Sequence, residues 1–218
     1  MWGNGRFWWR RGEGGSWIAF LRAVCGSKHS NESHLPNGKA ILKRLTLDWN
    51  CVIAVENSEP GSFWVEKLIN AHQRGVIDAG ITAVSAAENQ RNSVNYMNNF
   101  GDFVHRIERL GLGRETLVPA PGRINRTVVG HTVIQSNRTV NWFASILHIL
   151  DPNTGSKSGR KRRNAMCDAD TLLAHIMSNR DAFITSNSKD FQRNLPALRK
   201  LGVNSIFTPE EVAKILNL

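Results

Sequence analysis

From residue 44 onward, the chain alternates short apolar runs with segments that have the period of an amphipathic helix. The run RLTLDWNCVIAV (44–55) is apolar at most positions, which is typical of a strand buried on both faces. A second apolar run, IDAGITAVS (77–85), follows the helix-like segment EPGSFWVEKLINAHQRG (59–75) and precedes another, FGDFVHRIERLGLG (100–113). Strand–helix–strand units place their strands parallel through right-handed crossovers, so this alternation predicts an α/β fold with a parallel sheet.

The C-terminal part continues the alternation after a polar interruption. The segment DPNTGSKSGRKRRNAM (151–166) is rich in Gly, Ser and basic residues and predicts a loop. The stretch DAFITSNSKDF (181–191) predicts a short buried strand that ends in a polar tip. The pattern of residues 114–140 indicates no definite element. The remaining segments predict helices at 139–150, 167–180, 194–203 and 208–216 and a strand at 205–207.

Composition divides the chain into a short extension and one domain. Residues 1–40 crowd Gly, Arg and Trp together without a helical or strand period, which predicts a flexible N-terminal extension. The apolar piece WIAFLRAVC (17–25) is interrupted by Arg22, which disfavours a signal peptide. Aromatic and arginine side chains in this extension would also suit stacking on bases. Residues 41–218 are predicted to form one domain with an enlarged middle region, 114–166.

Charge and cysteine content narrow the classes of partner and compartment. A formal net charge of +10 and a pI of about 10.2 favour binding to a polyanion, above all nucleic acid. No apolar run reaches the roughly 18 residues of a membrane span. Three cysteines without metal-binding spacing fit a reducing compartment, so a cytoplasmic protein is predicted.

A basic cluster within the predicted loop is a candidate for contact with a phosphate backbone. Its members are Lys157, Arg160, Lys161, Arg162 and Arg163. A solvated linker or a localisation signal would have the same composition, so the cluster alone does not establish binding.

Three acidic residues accompany the strand-like runs. Asp48 lies in the first run, Glu88 follows the second, and Asp168 is predicted to open the helix after the basic loop. Carboxyl ends of parallel strands share one edge of a sheet, and acids that converge there need a cation between them. Oxygen ligands of this kind suit Mg²⁺ or Mn²⁺. Each acid also has a structural interpretation, either an ion pair for Asp48 or a favourable first-turn position for the other two.

Four short blocks, taken in order, make the chain resemble the PIN-domain nucleases. They are LTLDWNCVI, ITAVSAAEN, CDADTLLAHI and AFITSNSKDF, and together they extend over about residues 44–210. The resemblance implies a three-layer α/β/α sandwich with a central parallel sheet. It also implies an Mg²⁺- or Mn²⁺-dependent ribonuclease, and many members of the family are toxins of bacterial toxin–antitoxin pairs.

Carried over by position, the resemblance assigns roles to six residues. It implies metal ligation by Asp48, Glu88, Asp168 and Asn187, with Asn50 and Thr185 as polar residues of the active site. Asn187 stands where members of the family often have an aspartate. Its amide oxygen would bind the metal or hold a water on it, which leaves open whether one ion or two are bound.

Asp168 and Asp170 compete for the third acidic position. Helical positions two residues apart point about 200° apart, so only one of them can face the pocket. Asp168 shares a stripe with Leu172 and His175, whereas Asp170 is predicted to face outward and to interact with amides at the helix start. We therefore assign Asp168 to the site and interpret His175 as a partly buried helix residue rather than a base.

These features predict an endoribonuclease that hydrolyses RNA phosphodiester bonds with Mg²⁺ or Mn²⁺ as cofactor. Its partners would be single-stranded or structured RNA and, for a toxin, a protein antitoxin; a homodimer is also compatible. Two alternatives stay open. One is a catalytically weak module that binds nucleic acid, which Asn187 and the positive charge would both allow. The other is a DNA-directed nuclease, because no identified residue reads a 2′-hydroxyl.

Overall fold

The computed structural model describes residues 9–11, 17–19, 43–88, 96–122, 132–133, 136–152 and 159–218. The chain divides into two compact units, Met1–Ala40 and Ile41–Leu218. In the first unit, β1 (Trp9–Arg11) pairs antiparallel with β2 (Trp17–Ala19), a ribbon that the composition does not predict. Most of the predicted flexible extension lies outside the described residues, so its flexibility stays a prediction.

The second unit alternates strands and helices along the chain. Its strands are β3 (Arg44–Leu47), β4 (Asp78–Thr82), β5 (Leu117–Val118), β6 (Ala120–Pro121), β7 (Thr132–Val133), β8 (Ala182–Ile184) and β9 (Ile206–Phe207). Its helices are α1 (Trp49–Glu56), α2 (Ser62–Gln73), α3 (Ser85–Glu88), α4 (Tyr96–Arg109), α5 (Asn137–Leu150), α6 (Gly159–Met177), α7 (Ser188–Gln192), α8 (Leu195–Arg199) and α9 (Pro209–Ile215).

Five of these strands form one parallel sheet in the order β5-β4-β3-β8-β9. Leu47 of the central strand β3 lies opposite Ile81 of β4 and Ile184 of β8. Along the chain, β4 and β5 are added on one side of β3, and β8 and β9 are then added on its other side. This topology creates a switch point where β3 and β8 end, which is where pockets form in open parallel sheets.

Helices cover both faces of the sheet. Because side chains alternate along a strand, Leu45 and Leu47 lie on one face and Thr46 on the other. The first face packs against residues of α1, α2, α4 and α9, including Val52, Leu68, Ile107 and Val212. On the second face, Phe183 packs among residues of α5, α6 and α8, including Phe143, Leu172 and Leu198. The predicted α/β class with three layers and a parallel sheet is therefore confirmed.

The first apolar run contains a strand and a helix, so the predicted strand over 44–55 is wrong beyond Leu47. Asp48 follows the strand in an extended conformation and caps α1, its carboxylate accepting the Trp49 amide. The run stays apolar because α1 is itself largely buried, at Trp49, Cys51, Val52 and Ala54. A short apolar run does not distinguish a buried strand from a buried helix by its period alone.

The basic segment is also helical, which corrects the predicted loop over 151–166. Helix α6 begins at Gly159, so Asp168 lies well inside it rather than at its start. Arg160, Lys161, Arg162 and Arg163 therefore occupy the first turns of a helix, whereas Lys157 lies outside the described residues. Lys, Arg, Ala and Met all favour helix, so the polar composition that indicated a loop was misleading after Gly159.

Several other predictions agree with the structure. Helices α2, α5 and α9 lie where the apolar period places them, and Thr208 caps α9 in a reciprocal capping box with Glu211. Cys51 and Cys167 are buried and belong to no disulfide among the described residues, and Cys25 lies outside those residues. Within the described ranges, no helix combines the length and the apolar character that a membrane span requires.

Candidate functional site

The ends of β3 and β8 bring four of the predicted site residues together. Asp48 follows β3, Asn50 lies in the first turn of α1, Thr185 follows β8, and Asn187 immediately precedes α7. The backbone joins the two strand ends directly, because the Asp48 amide donates to the carbonyl oxygen of Ile184 at 2.8 Å. We call Asp48, Asn50, Thr185 and Asn187 the strand-end site.

The hydroxyl of Thr185 is the centre of the strand-end site. It donates to Asp48 Oδ2 at 2.7 Å and accepts from Asn50 Nδ2 at 3.0 Å and from the Asn187 amide at 3.1 Å. A threonine hydroxyl has one donor and two acceptor positions, so these contacts use all of them. The polar tip after β8 thus orients the Asp48 carboxylate as well as turning the chain.

Asn50 connects the start of α1 to the same polar tip. Its Nδ2 donates to Thr185, and its Oδ1 accepts the Ser186 amide at 3.2 Å. Cys51 lies beneath this contact, with its thiol 3.5 Å from the Ile184 carbonyl oxygen. Burial, followed by the nearby Asp48 charge, raises the pKa of Cys51 to about 12, so its thiol is not a nucleophile at neutral pH.

Asp48 is a buried carboxylate in an unusual electrostatic state. Its side chain is 6% exposed, and burial raises its pKa to about 6 against the opposing hydrogen bonds from Thr185, Trp49 and Asn50. Among the described residues, no lysine or arginine forms an ion pair with it. Burial disfavours the ionised form of this carboxylate, and a cation bound close to it would stabilise that form. Its oxygen chemistry therefore fits Mg²⁺ or Mn²⁺.

Helix α6 brings Asp168 to the same edge and the same face of the sheet. Thr171 Oγ1 lies 3.3 Å from Thr82 Oγ1 at the end of β4, and His175 Nδ1 lies 2.9 Å from Thr46 Oγ1 within β3. These two contacts define the stripe of α6 that faces the sheet. Asp168 precedes Thr171 by three residues and is half-buried, so it lies on this stripe about 4.5 Å farther along the helix axis.

Asp170 is 1% exposed, so the expectation that it faces outward is wrong. The reason is that α6 is enclosed on almost every side, with Ala169, Leu173 and Ala174 buried around it. Asp170 nevertheless lies about 100° around the helix from Thr171. It shares a face with Ala174, which packs with Val84, Val118 and Ala120 beside β5 and β6.

Glu88 occupies the last position of α3 rather than opening a helix. Helix α3 packs against α6, which carries Asp168, but the Glu88 side chain lies outside the described residues. Among the side chains that the structure describes, no group of three His, Cys, Asp or Glu residues could hold a metal. The cluster of Asp48, Glu88 and Asp168 therefore stays a prediction.

The sequence did not single out the buried hydroxyl groups beside these acids. Thr82 contacts both Thr171 and Ser85, whose Oγ lies 2.9 Å from Thr82 Oγ1. Two features of the sequence could have indicated them. Thr82 ends a buried strand, and Thr171 follows Asp168 by three residues, so Asp168 and Thr171 lie on one face of their helix.

Comparisons with known proteins do not identify the chain. No protein-family model matches it. No curated protein and no solved structure is significantly similar to it. The resemblance to PIN-domain nucleases thus rests on the four sequence blocks alone.

Proposed function

We propose that this chain is a metal-dependent nuclease that hydrolyses RNA phosphodiester bonds, related to the PIN-domain nucleases. The observation that carries the proposal is the buried Asp48 carboxylate, with its pKa of about 6, at the switch point of a parallel sheet. Strongly shifted carboxylates in such positions are more frequent in functional sites than elsewhere. Asp168 supports the proposal because it lies on the same face of the same sheet edge.

The proposed site contains metal ligands and residues that orient one of those ligands. Asp48, Glu88 and Asp168 would hold Mg²⁺ or Mn²⁺, and Asn187 would contribute an amide oxygen. The bound ion would supply charge compensation at the phosphate and a more acidic water. Thr185 and Asn50 hold the Asp48 carboxylate in one orientation, because their hydrogen bonds join both strand ends.

RNA is the proposed substrate because the chain is strongly basic. The net charge is +10, and the first turns of α6 carry Arg160, Lys161, Arg162 and Arg163 on the helix that also carries Asp168. Contacts of this kind hold a phosphate backbone with little choice of sequence. By the same resemblance, a cytoplasmic location, a protein antitoxin and a homodimer are further proposals. A small gene for a DNA-binding protein beside this one would support the antitoxin.

A second candidate function is nucleic-acid binding with weak or absent catalysis. It is favoured by Asn187, a neutral residue that follows the strand tip where a further carboxylate would bind metal more strongly. In that case, RNA would bind without being cut. DNA as substrate is the corresponding alternative within catalysis.

The experiment combines cleavage with metal binding. Purified protein is incubated with single-stranded RNA or DNA of the same sequence in Mg²⁺, Mn²⁺ or EDTA, and its melting temperature is measured with and without Mn²⁺. We expect RNA cleavage that EDTA abolishes and a higher melting temperature in millimolar Mn²⁺, because a ligand that binds only the native state stabilises it. Asp102→Asn, a change at an exposed position of α4, is the control and should alter neither result.

Each contrary outcome has a definite meaning. Retention of RNA without cleavage would establish the binding module in place of the enzyme. Cleavage of DNA but not RNA would exclude the ribonuclease. An unchanged melting temperature across millimolar Mn²⁺ would exclude the metal site.

A further inference from the structure

Three buried hydroxyl groups connect the end of β4 to the two helices that carry Glu88 and Asp168. Thr82 Oγ1 lies 2.9 Å from Ser85 Oγ, in the first position of α3, and 3.3 Å from Thr171 Oγ1 of α6. All three side chains are buried. We call Thr82, Ser85 and Thr171 the hydroxyl cluster.

The hydroxyl cluster is level with Asp48 in the sheet. Leu47 pairs with Ile81, so the next residues, Asp48 and Thr82, leave neighbouring strands at the same height and on the same face. From this level, Thr82 contacts Ser85 of α3 and Thr171 of α6.

The spacing of two contact residues along α6 matches the spacing of their partners along the sheet. Thr171 contacts Thr82, and His175 contacts Thr46, which pairs with Gly80 two residues before Thr82. Four helical residues advance about 6 Å, and two strand residues advance about 6.6 Å. Both contacts therefore form together only when α6 has one axial position and one rotation, with its direction opposite to the strands.

Apolar packing also contributes to that position. The buried apolar residues in this part of α6 include Ala169, Leu172, Leu173 and Ala174, and hydrophobic contacts have less directional preference than hydrogen bonds. A hydrogen bond between buried hydroxyls is directional, and misalignment would leave buried polar groups without partners.

We infer that the hydroxyl cluster positions the ligand-bearing helices, and that Thr82 and Thr171 are positioning residues for the metal site. The inference rests on the proposed function, because it assigns the cluster a role toward Asp168 and Glu88. Thr82 and Thr171 do not touch the ion or the substrate in this role; they fix the helix on which the ligand is carried.

The test measures Mn²⁺ affinity in the absence of RNA, by electron paramagnetic resonance titration of the full chain. Thr171→Val keeps the shape of the side chain and removes its hydroxyl, and we expect Mn²⁺ affinity to fall on the order of 10-fold. Thr171→Ser keeps the hydroxyl and should restore most of the affinity, even though it loses a buried methyl group. Thr82→Val should behave like Thr171→Val, and the double variant should lose little more than either single variant.

A matched control separates positioning from general loss of stability. Thr116 is also a buried threonine, but its hydroxyl donates to the carbonyl oxygen of Gly113 in its own turn. Thr116→Val should lower the melting temperature about as much as Thr171→Val and leave Mn²⁺ affinity unchanged. Equal Mn²⁺ affinity in the parent and in Thr171→Val, or equal losses in Thr116→Val and Thr171→Val, would overturn the inference.

The outcomes also separate this inference from the proposed function. Parent protein that binds Mn²⁺, loses affinity in Thr171→Val and regains it in Thr171→Ser, yet cuts no RNA, would support the positioning role and exclude the ribonuclease. RNA cleavage with Mn²⁺ affinity unaffected by Thr171→Val would support the nuclease and exclude the positioning role. Absence of Mn²⁺ binding in the parent would exclude both.

Discussion

Asp168 and Asp170 show how position around one helix determines the role of a side chain. Asp168 lies on the stripe of α6 that also carries Thr171 and His175, both of which contact the sheet. Asp170 lies about 100° away from Thr171 on a face that is buried beside Ala174. A metal ligand and a buried structural carboxylate are therefore expected two residues apart.

Substitution of the two aspartates by asparagine should have opposite effects. Asp168→Asn should abolish metal-dependent cleavage, because a neutral amide is a weaker ligand, while the free energy of unfolding changes by less than about 1 kcal/mol. Asp170→Asn should keep most cleavage and lower the free energy of unfolding by about 1–3 kcal/mol, because it alters a buried polar group. Cleavage assays and urea denaturation test both variants. If Asp168→Asn cuts RNA like the parent, the assigned pocket is wrong.

His175 is a buried residue that the sequence assigned correctly to the helix but not to full burial. Its Nδ1 contacts Thr46, its ring packs edge-on against Phe183, and its Nε2 has no hydrogen-bond partner among the described residues. Burial, and then the charge of Arg180, lower the pKa of His175 to about 4, against the weaker effect of Asp181. The imidazole is therefore neutral in the folded protein at neutral pH, and its complete burial against Thr46 and Phe183 fits a structural role within the packing of α6.

The lowered pKa of His175 predicts loss of stability in acid. In the unfolded chain the imidazole has its ordinary pKa of 6.5, whereas in the folded chain it binds a proton only near pH 4. The contribution of the neutral imidazole is thus complete above pH 6.5 and falls as the pH decreases toward 4, by about 3 kcal/mol in all.

Urea denaturation at intervals from pH 7.5 to 4.5 tests this prediction. In His175→Leu, the fall in unfolding free energy should be smaller than in the parent, because the titrating group is absent. His148→Gln changes an exposed histidine of α5 and should follow the parent curve. A pH-independent difference between the parent and His175→Leu would contradict the prediction.

The sequence predicts three polar residues of the strand-end site but not the helix contacts beside them. Asp48 and Thr185 are recognisable because they interrupt or end apolar runs, Asn50 comes from the family resemblance, and the structure places these three in contact. The burial of Asp170 and the contact between Thr82 and Thr171 depend on which face of α6 packs against the sheet. Such pairs are far apart in the chain, and a single sequence contains no direct signal for them.

At the scale of elements, α6 carries both the residues proposed to bind RNA and one of the proposed metal ligands. Its first turns carry Arg160 to Arg163 of the basic cluster, its middle carries Asp168, and its later turns contact β3 and β4. Because the basic residues continue the same helix, the proposed contact with phosphate is tied to a defined element rather than to a linker.

Neutralising the basic turns should weaken RNA binding and reduce its dependence on salt. Replacing Arg160, Lys161, Arg162 and Arg163 by glutamine keeps residues that favour helix, so the melting temperature should change little. The slope of log affinity against log salt should become shallower by roughly 0.7 for each lost contact with single-stranded RNA. Binding titrations from low to high salt measure this slope.

A control for charge alone uses three exposed cations after the strand-end site, Arg193, Arg199 and Lys200. Their replacement by glutamine should change the salt slope less for each charge removed. An unaltered slope in the α6 variant would show that its basic turns do not contact RNA.

Element boundaries explain where sequence and structure differ. Helices α2 and α9 are predictable because local signals, apolar period and capping residues, coincide with their ends. The strand predicted from residue 44 ends early because α1 is as apolar as the strand before it. Strand β5 has only two residues, too few for any period, and is fixed by its pairing with β4.

At the scale of the whole molecule, charge is divided unevenly between the two units. Residues 1–40 contain six basic and two acidic side chains, together with four of the seven tryptophans. The parallel sheet, the strand-end site and the hydroxyl cluster all belong to the unit Ile41–Leu218. The described core and the proposed chemistry thus belong to the second unit, and the first adds positive charge and aromatic residues.

Removal of residues 1–40 should therefore separate RNA affinity from folding and cleavage. A chain of residues 41–218 should keep the melting temperature of the parent and its increase in Mn²⁺, because the described core lies within that unit. Its affinity for single-stranded RNA should fall and depend less on salt, because a net charge of +4 is lost with the extension. Cleavage at saturating RNA should be unchanged.

The matched comparison is the full chain with Arg6, Arg10, Arg11 and Arg22 replaced by glutamine, which removes charge but keeps the aromatic residues. If that variant binds RNA as weakly as the truncated chain, charge accounts for the contribution of the extension, and if it binds like the parent, stacking does. A truncated chain that melts at a lower temperature or no longer responds to Mn²⁺ would show that the second unit does not fold and bind metal by itself.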